Sequence, residues 1–301
     1  MRRPNFFILG APKSGTTALH AYLVTHPKVC MSDPKEPHYF NEDFPRFRWA
    51  KTEADYLRFF AHATPEHMAI GDASPLYLFS RVAPARIKDF DANARVIVML
   101  RSYVDYLRSY HNHLVYNRDE IEGDLGRAWD LQDDRREGKR IPRTCREARF
   151  LQYRELCSLG TQLGRVFDAF DRRQVKVIFF EDFVRDTRAQ YLDVLRFLGL
   201  QDDGRTEFPK INEAKSHRLK LLGNLTQRPS PLLLSVAKKA KALLGLGRSR
   251  VLVRIREANT ISKRSARLGP ETERRIKSAL VEDAALLSSL TGRDVSEWVR
   301  S

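Results

Sequence analysis

The sequence predicts an α/β fold: a single P-loop-like domain in which a central parallel sheet carries helices on both faces. Two observations predict it. Short, continuously apolar runs recur near Phe6–Leu9, Met68–Ile70, Val96–Leu100 and Val175–Phe180, and segments of helical periodicity alternate with them at Thr16–Thr25, Tyr103–Tyr116, Phe150–Phe170 and Arg188–Phe197. A strand covered on both faces needs no polar alternation, and strands that alternate with helices are joined by crossovers that leave them parallel. With 301 residues the chain is long enough for one large core, so it reads as one domain over 1–301.

The first strand candidate runs into Gly10-Ala11-Pro12-Lys13-Ser14-Gly15-Thr16-Thr17, and Ala18, Leu19, Tyr22 and Leu23 then recur at helical spacing up to Pro27. A glycine-cornered loop at a helix N-terminus offers free backbone N–H groups and the positive end of the helix dipole to an anion. A nucleotide triphosphatase loop reads G-x-x-x-x-G-K-[ST]. Gly10 and Gly15 keep that spacing, but Thr16 stands where the lysine belongs and the cation has moved back to Lys13. The strand Val96–Leu100 ends in Arg101, where a nucleotide triphosphatase would place a carboxylate for Mg²⁺. A cation there suits an anion and repels a metal. Parallel sheets bind ligands at the C-terminal ends of their strands, which is where Lys13 and Arg101 fall, so both are expected to face one crevice.

Further along, residues 118–143 turn polar and read as a surface helix-and-loop insertion. Residues 228–260 open with Pro229 and Pro231 and mix Leu232, Leu233, Leu234 and Val236 with Lys238, Lys239 and Lys241. That pattern suits a basic amphipathic helix, packed on its own core, covering a cleft or in transient contact with a membrane surface. His111 and His113 lack the i, i+4 spacing of a helical metal pair, and no metal is assigned.

In these motifs the chain resembles the sulfotransferases that use 3'-phosphoadenosine 5'-phosphosulfate (PAPS), in their bacterial, carbohydrate or heparan-type branch. Pro12-Lys13-Ser14-Gly15-Thr16-Thr17 is similar to their 5'-phosphosulfate loop, and Arg101 with Ser109, at R-x7-S spacing, to their 3'-phosphate site. Lys35-Glu36-Pro37-His38-Tyr39-Phe40 resembles the segment whose Glu is the proposed catalytic base. Further echoes are Gly71-Asp72-Ala73-Ser74-Pro75-Leu76-Tyr77, Phe179-Phe180-Glu181-Asp182-Phe183, Phe197-Leu198-Gly199-Leu200 and Gly292-Arg293-Asp294-Val295-Ser296-Glu297-Trp298. Where the heparan-type enzymes carry a catalytic Lys after Glu in E-K-[ST]-P, this chain has Ala73.

The resemblance implies sulfuryl transfer from PAPS, leaving PAP, to an acceptor hydroxyl on a sugar, glycolipid or small molecule, with no metal required. Lys13 would stabilise charge on the bridging oxygen, while Ser14, Gly15, Thr16 and Thr17 would hold the 5'-phosphate. Arg101 and Ser109 would hold the 3'-phosphate, and a loose basic loop with Lys215 and Arg218 would close over the nucleotide. The base is Glu36 or His38. Alternation along an extended segment would put both on one side, which leaves the choice open. Glu181 and Asp182 are expected to cap the element that follows them.

The net charge of +15 is concentrated from Lys210 onward, a face that would steer any polyanion. Nucleic acid is not the expected partner. Cys30, Cys145 and Cys157 are scattered without metal-ligand spacing, which fits a reduced cytoplasmic setting, peripheral to a membrane if the basic segment touches one. The apolar run behind Arg2 and Arg3 is shorter than the apolar core of a signal peptide. Two rival readings are a nucleotide kinase using ATP and Mg²⁺, and a polyanion- or membrane-surface-binding protein. The first is opposed by Thr16 and Arg101, and the second leaves the loop motif unexplained.

Overall fold

The computed structural model describes residues 2–211 and 268–300, and the backbone of 215–217 and 260–262. They fall into two compact units, one of residues 1–107, 153–212 and 269–301, the other of 108–152 and 213–268. The first unit begins with β1 (Phe6–Gly10), α1 (Thr16–Leu23), β2 (Val29–Met31), α2 (Glu53–Leu57), β3 (Ala69–Ala73), α3 (Ala83–Phe90) and β4 (Arg95–Leu100). Helix α4 (Tyr103–Asn117) contains the boundary, and α5 (Leu125–Asp130) and α6 (Gln132–Arg136) belong to the second unit. The first unit resumes with α7 (Tyr153–Cys157), α8 (Leu159–Ala169), β5 (Val175–Phe179), α9 (Phe180–Arg185) and α10 (Thr187–Leu198). Strands β6 (Lys215–His217) and β7 (Thr260–Ser262) lie in the second unit, and α11 (Pro270–Ser278) and α12 (Val281–Thr291) in the first.

The sheet of the first unit has five strands in the order β2-β3-β1-β4-β5, and every pairing is parallel. β1 is central because it can be covered on both sides: all five of its residues are buried. Phe6 and Ile8 face a core with Leu19, Tyr22 and Leu23 of α1 and Tyr191, Val194 and Leu195 of α10. Phe7 points the other way, meeting Phe40 edge-on at 5.7 Å and Phe90 of α3 at 6.4 Å. Fully burying one such side chain contributes about 1.5–3 kcal/mol, so the two faces of this one strand anchor both helical layers. The pairing of β1 with β4 shifts register between Ile8 and Gly10, where the chain leaves the sheet for the loop.

The four predicted strands and the helices at Thr16, Tyr103 and Thr187 are present with shifted ends. Three elements differ. β2, only three residues long, is too short to show a period. The strand expected at Met68–Ile70 runs on through Asp72, a buried carboxylate that a pattern of apolar residues excludes. The helix expected over Phe150–Phe170 is broken at Ser158 into α7 and α8. The break has a partner: the Asp283 carboxylate of α12 accepts hydrogen bonds from Gly160 N (2.8 Å), Thr161 N (2.9 Å) and Thr161 Oγ1 (3.0 Å), capping α8 from another helix. A Cβ on Gly160 would lie 2.5 Å from the Asp283 carbonyl oxygen, so only glycine admits this approach.

In the second unit, the polar stretch 118–143 is built on paired charges. Asp119 is buried and accepts from Arg146 N (3.0 Å) and its guanidinium, and Glu120 and Arg135, both buried, pair at 2.7 Å. Deleting one partner of such a pair costs about 3–5 kcal/mol, because the other charge is then left buried alone. β6 and β7 pair antiparallel, Lys215 opposite Ser262. The predicted basic segment lies outside the described residues except for the backbone of Thr260. Among the described residues, no helix is long and apolar enough to cross a membrane.

Candidate active site

The loop from Gly10 to Gly15 joins the C-terminal end of β1 to the N-terminus of α1, which has no acidic residue in its first turn. Gly15 is the N-cap, with φ of 95°, and a Cβ there would sit 3.1 Å from Met99 Cε and 3.1 Å from Phe180 Cδ2. The left-handed backbone favours glycine, and the space for a side chain is tight. Lys13 also has positive φ, at 65°. Ser14 is fully buried, and among the described residues its Oγ has no hydrogen-bond partner. A buried hydroxyl left unbonded costs about 1–3 kcal/mol, a penalty that a ligand with acceptor oxygens would remove. The loop has the geometry that suits an anion.

Arg101 follows β4, the neighbour of β1. Its Nη1 donates to the Lys13 carbonyl oxygen at 3.2 Å, and its guanidinium lies 4.4 Å from the centre of the Phe180 ring. The two sequence motifs therefore meet at the C-terminal edge of the sheet, as expected. Phe180, in the Phe179–Phe183 motif to which no role at the loop is assigned from sequence, packs on both the loop glycine and the arginine. Glu181 and Asp182 do not cap their own helix with their side chains: Glu181 Oε1 accepts from Ser102 N at 3.0 Å, fixing the chain after Arg101, while Asp182 pairs with Arg185 and Arg293.

Glu36 and His38 are brought together, His38 Nε2 lying 3.5 Å from Glu36 Oε2, but not by the extended alternation expected of them. Both have left-handed backbone, with φ of 65° and 50°. Hydrogen bonds to Asp72 of β3 and to Ser74 just after it hold this unusual turn. Buried Asp72 accepts from Tyr56 (2.9 Å), Tyr77 (2.8 Å) and Ser74 Oγ (2.7 Å), and Ser74 Oγ accepts from His38 N at 3.0 Å. Burial raises the Asp72 carboxyl against the lowering effect of these donors. Asn41 Nδ2 lies 3.3 Å from His38 Nδ1. With that amide donating, the neutral ring carries its proton on Nε2, toward Glu36. Lys35 Nζ donates to Glu36 Oε1 at 2.6 Å and to Thr17 Oγ1 at 3.1 Å, joining this turn to the first turn of α1. Burial pushes the Glu36 carboxyl up, yet the His38 hydrogen bond and the Lys35 charge bring it down to about 2.

His20, one turn beyond Thr17 on α1, has its pKa lowered to about 4 by burial and then by Lys35. The unfolded chain takes up this proton near pH 6.5 and the folded chain only near pH 4. Stability is expected to fall as pH drops through that window, and His20→Asn to flatten the loss. Thermal denaturation of both proteins at about pH 7 and about pH 5, on either side of the start of that loss, checks this.

The sulfotransferase domain family matches residues 3–216, more than half of the chain. The chain belongs to the sulfotransferase family. A sulfotransferase from Alicyclobacillus acidocaldarius, known from a crystal structure, is 27% identical with a TM-score of 0.71, covering 100% of both chains. The membrane-associated sulfotransferase kil1 of Dictyostelium discoideum is 34% identical over 112 residues, 36% of this chain and 22% of that protein. The human bifunctional heparan sulfate N-deacetylase/N-sulfotransferase 3 is 31% identical over 117 residues, 37% of this chain and 13% of that protein. The chain thus spans less than a quarter of the length of these two curated relatives.

The remaining candidate residues lie elsewhere in the chain. Ser109 is half-buried on α4. Lys215 has only its backbone described, in β6, and Arg218 lies outside the described residues. The C-terminal motif packs in the first unit, with Trp298 edge-on to Tyr103 at 5.5 Å and against Phe179 at 5.8 Å. His111 Nε2 lies 2.9 Å from the Glu122 carbonyl oxygen, and among the described residues no group of His, Cys, Asp and Glu could hold a metal.

Proposed function

We propose that this sulfotransferase moves the sulfuryl group of PAPS to a hydroxyl of a carbohydrate, glycolipid or hydroxylated small molecule, with the whole chain, 1–301, acting as one domain. The observation that carries the donor assignment is the meeting of the anion loop and Arg101 at the ends of neighbouring strands, with an unbonded Ser14 hydroxyl in the loop. PAPS supplies the activated sulfuryl group and a leaving phosphate. Backbone N–H groups of Ser14 to Thr17 and the loop hydroxyls hold the 5'-phosphate. Lys13 offsets the charge that builds on the bridging oxygen, and Arg101 and Ser109 take the 3'-phosphate, with Lys215 and Arg218 over the nucleotide.

Glu36 is the base in this reading and His38 its positioning partner, since Asn41 engages His38 Nδ1 and the Nε2 proton points to Glu36. Three of the five non-glycine residues with positive φ among those described are Lys13, Glu36 and His38. Backbone strain of about 1–3 kcal/mol each persists where the surroundings enforce it, most often at working sites. A sugar acceptor draws support from the relatives named for heparan sulfate. Free cysteines suit the reduced cytoplasmic setting, and contact with a membrane surface rests on the basic segment alone. The kinase reading needs a carboxylate for Mg²⁺ where Arg101 stands.

PAP is expected to raise the thermal midpoint without a divalent ion, in step with its concentration, and more than 5'-AMP or ATP with Mg²⁺. Arg101→Ala should weaken PAP about 10–100-fold and leave 5'-AMP nearly unchanged, as the loss of a charge-assisted fork to one phosphate implies. Equal stabilisation by PAP and 5'-AMP in the unaltered protein removes the 3'-phosphate site.

A further inference from the structure

Lys35 neighbours the base in sequence, yet its ammonium is turned inward. Its side chain is 20% exposed, and it divides its hydrogen bonds between Thr17 Oγ1 at 3.1 Å and Glu36 Oε1 at 2.6 Å. Thr17 is the second residue of α1, next to the donor loop. One cation therefore touches a hydroxyl of the anion cradle and the carboxylate assigned as base. The other groups facing it are His38, on the second Glu36 oxygen, and His20, from α1.

A lysine ammonium is a point charge with three rotatable donors on a flexible stem, so it can pass between neighbouring anions without any backbone change. A carboxylate gripped by both Lys35 and His38 is a poor proton acceptor, and an anion arriving beside Thr17 competes for the same ammonium. We propose that Lys35 is a donor-gated latch on the base: in the free protein it holds Glu36 in an ion pair, and the phosphosulfate, on filling the loop, draws the ammonium to itself and releases the carboxylate. The acceptor hydroxyl then meets a competent base only in the donor complex. This inference rests on the donor site proposed above and adds an order of events to it.

The latch predicts a coupling that binding alone can read, with no acceptor needed. Calorimetric titration of PAP into the unaltered protein, Lys35→Met, Glu36→Gln and the double variant measures it. Glu36→Gln frees the ammonium for the nucleotide and is expected to bind PAP about 3–10-fold tighter, a coupling of ordinary size. Lys35→Met should cost about 3-fold in affinity with Glu36 in place and about 10-fold or more in the Glu36→Gln background, because the lysine is fully committed to the anion only in the second case. Lys35→Arg, which keeps the charge, should retain the tightening by Glu36→Gln. If the tightening survives in the double variant, it is simple repulsion between carboxylate and phosphate, and the latch is wrong. Equal losses on removing Lys35 in both backgrounds overturn it too. Should Lys35→Met fail to fold by circular dichroism, Lys35→Gln takes its place in the same cycle. A protein that prefers PAP to 5'-AMP but shows no coupling sinks the latch alone, whereas one without that preference sinks the donor site and the latch together.

Discussion

Lys13→Ala is expected to lower turnover about 10²–10³-fold, the size of effect seen when one preorganised group facing developing charge is removed. The thermal midpoint should barely move. Lys13 is half-buried on a loop, and its carbonyl oxygen, which accepts from Arg101 Nη1 at 3.2 Å, is kept by alanine. PAP affinity should change much less than turnover, because the lysine acts on charge that grows as the sulfuryl group departs. Transfer of label from PAPS to an acceptor fraction of a cell extract, with PAP titrations alongside, separates the two effects. Turnover within about threefold of the unaltered protein, with folding intact, would take Lys13 out of the chemistry. Lys13→Arg restores the charge but spreads it over a wider plane, so it should recover only part of the rate.

The parts of this site visible in the sequence are those built from neighbours along the chain. The glycine spacing, the apolar strand before it and the helix after it sit in one stretch, and Arg101 stands at the end of a second apolar run. Their meeting followed from the parallel topology alone, since β1 and β4 are adjacent and both end at the same edge. What stayed hidden is held together across the fold. Phe180 reaches the loop from the end of β5, and the motif Phe179–Phe183 that contains it carries no sign of that contact. Asp72 breaks the apolar pattern of β3, and its three hydroxyl partners come from the residues around 56 and 74–77. The break before α8 needs Asp283, more than a hundred residues away. Periodicity assumes ordinary backbone, so it implies an extended Glu36–His38 segment where the chain makes a left-handed turn. Its left-handed residues are stable only where tertiary hydrogen bonds such as that from His38 N to Ser74 Oγ compensate their cost.

Glu36→Gln is expected to cut turnover about 10²–10⁴-fold, the range for losing a positioned proton acceptor, while PAP binds no more weakly than before. Glutamine keeps the size of the side chain and one acceptor oxygen but carries no charge to hold the Lys35 ammonium, so the change tests proton acceptance apart from packing. His38 should behave differently. If its Nδ1 is engaged by Asn41 and its Nε2 proton orients Glu36, His38→Asn should cost about 10-fold, a positioning effect that leaves the base in place. The pH profile adds an independent reading. With its carboxyl held at about 2, Glu36 stays ionised well below neutrality in the free protein. Activity per free enzyme, kcat/KM, should therefore show no acid limb from this group above about pH 4. A limb falling through the range of an ordinary histidine would instead point to His38 as acceptor. An active Glu36→Gln protein alongside a His38→Asn protein that binds PAP but transfers nothing would make the same reversal, and would recast Glu36 as the residue that orients the histidine.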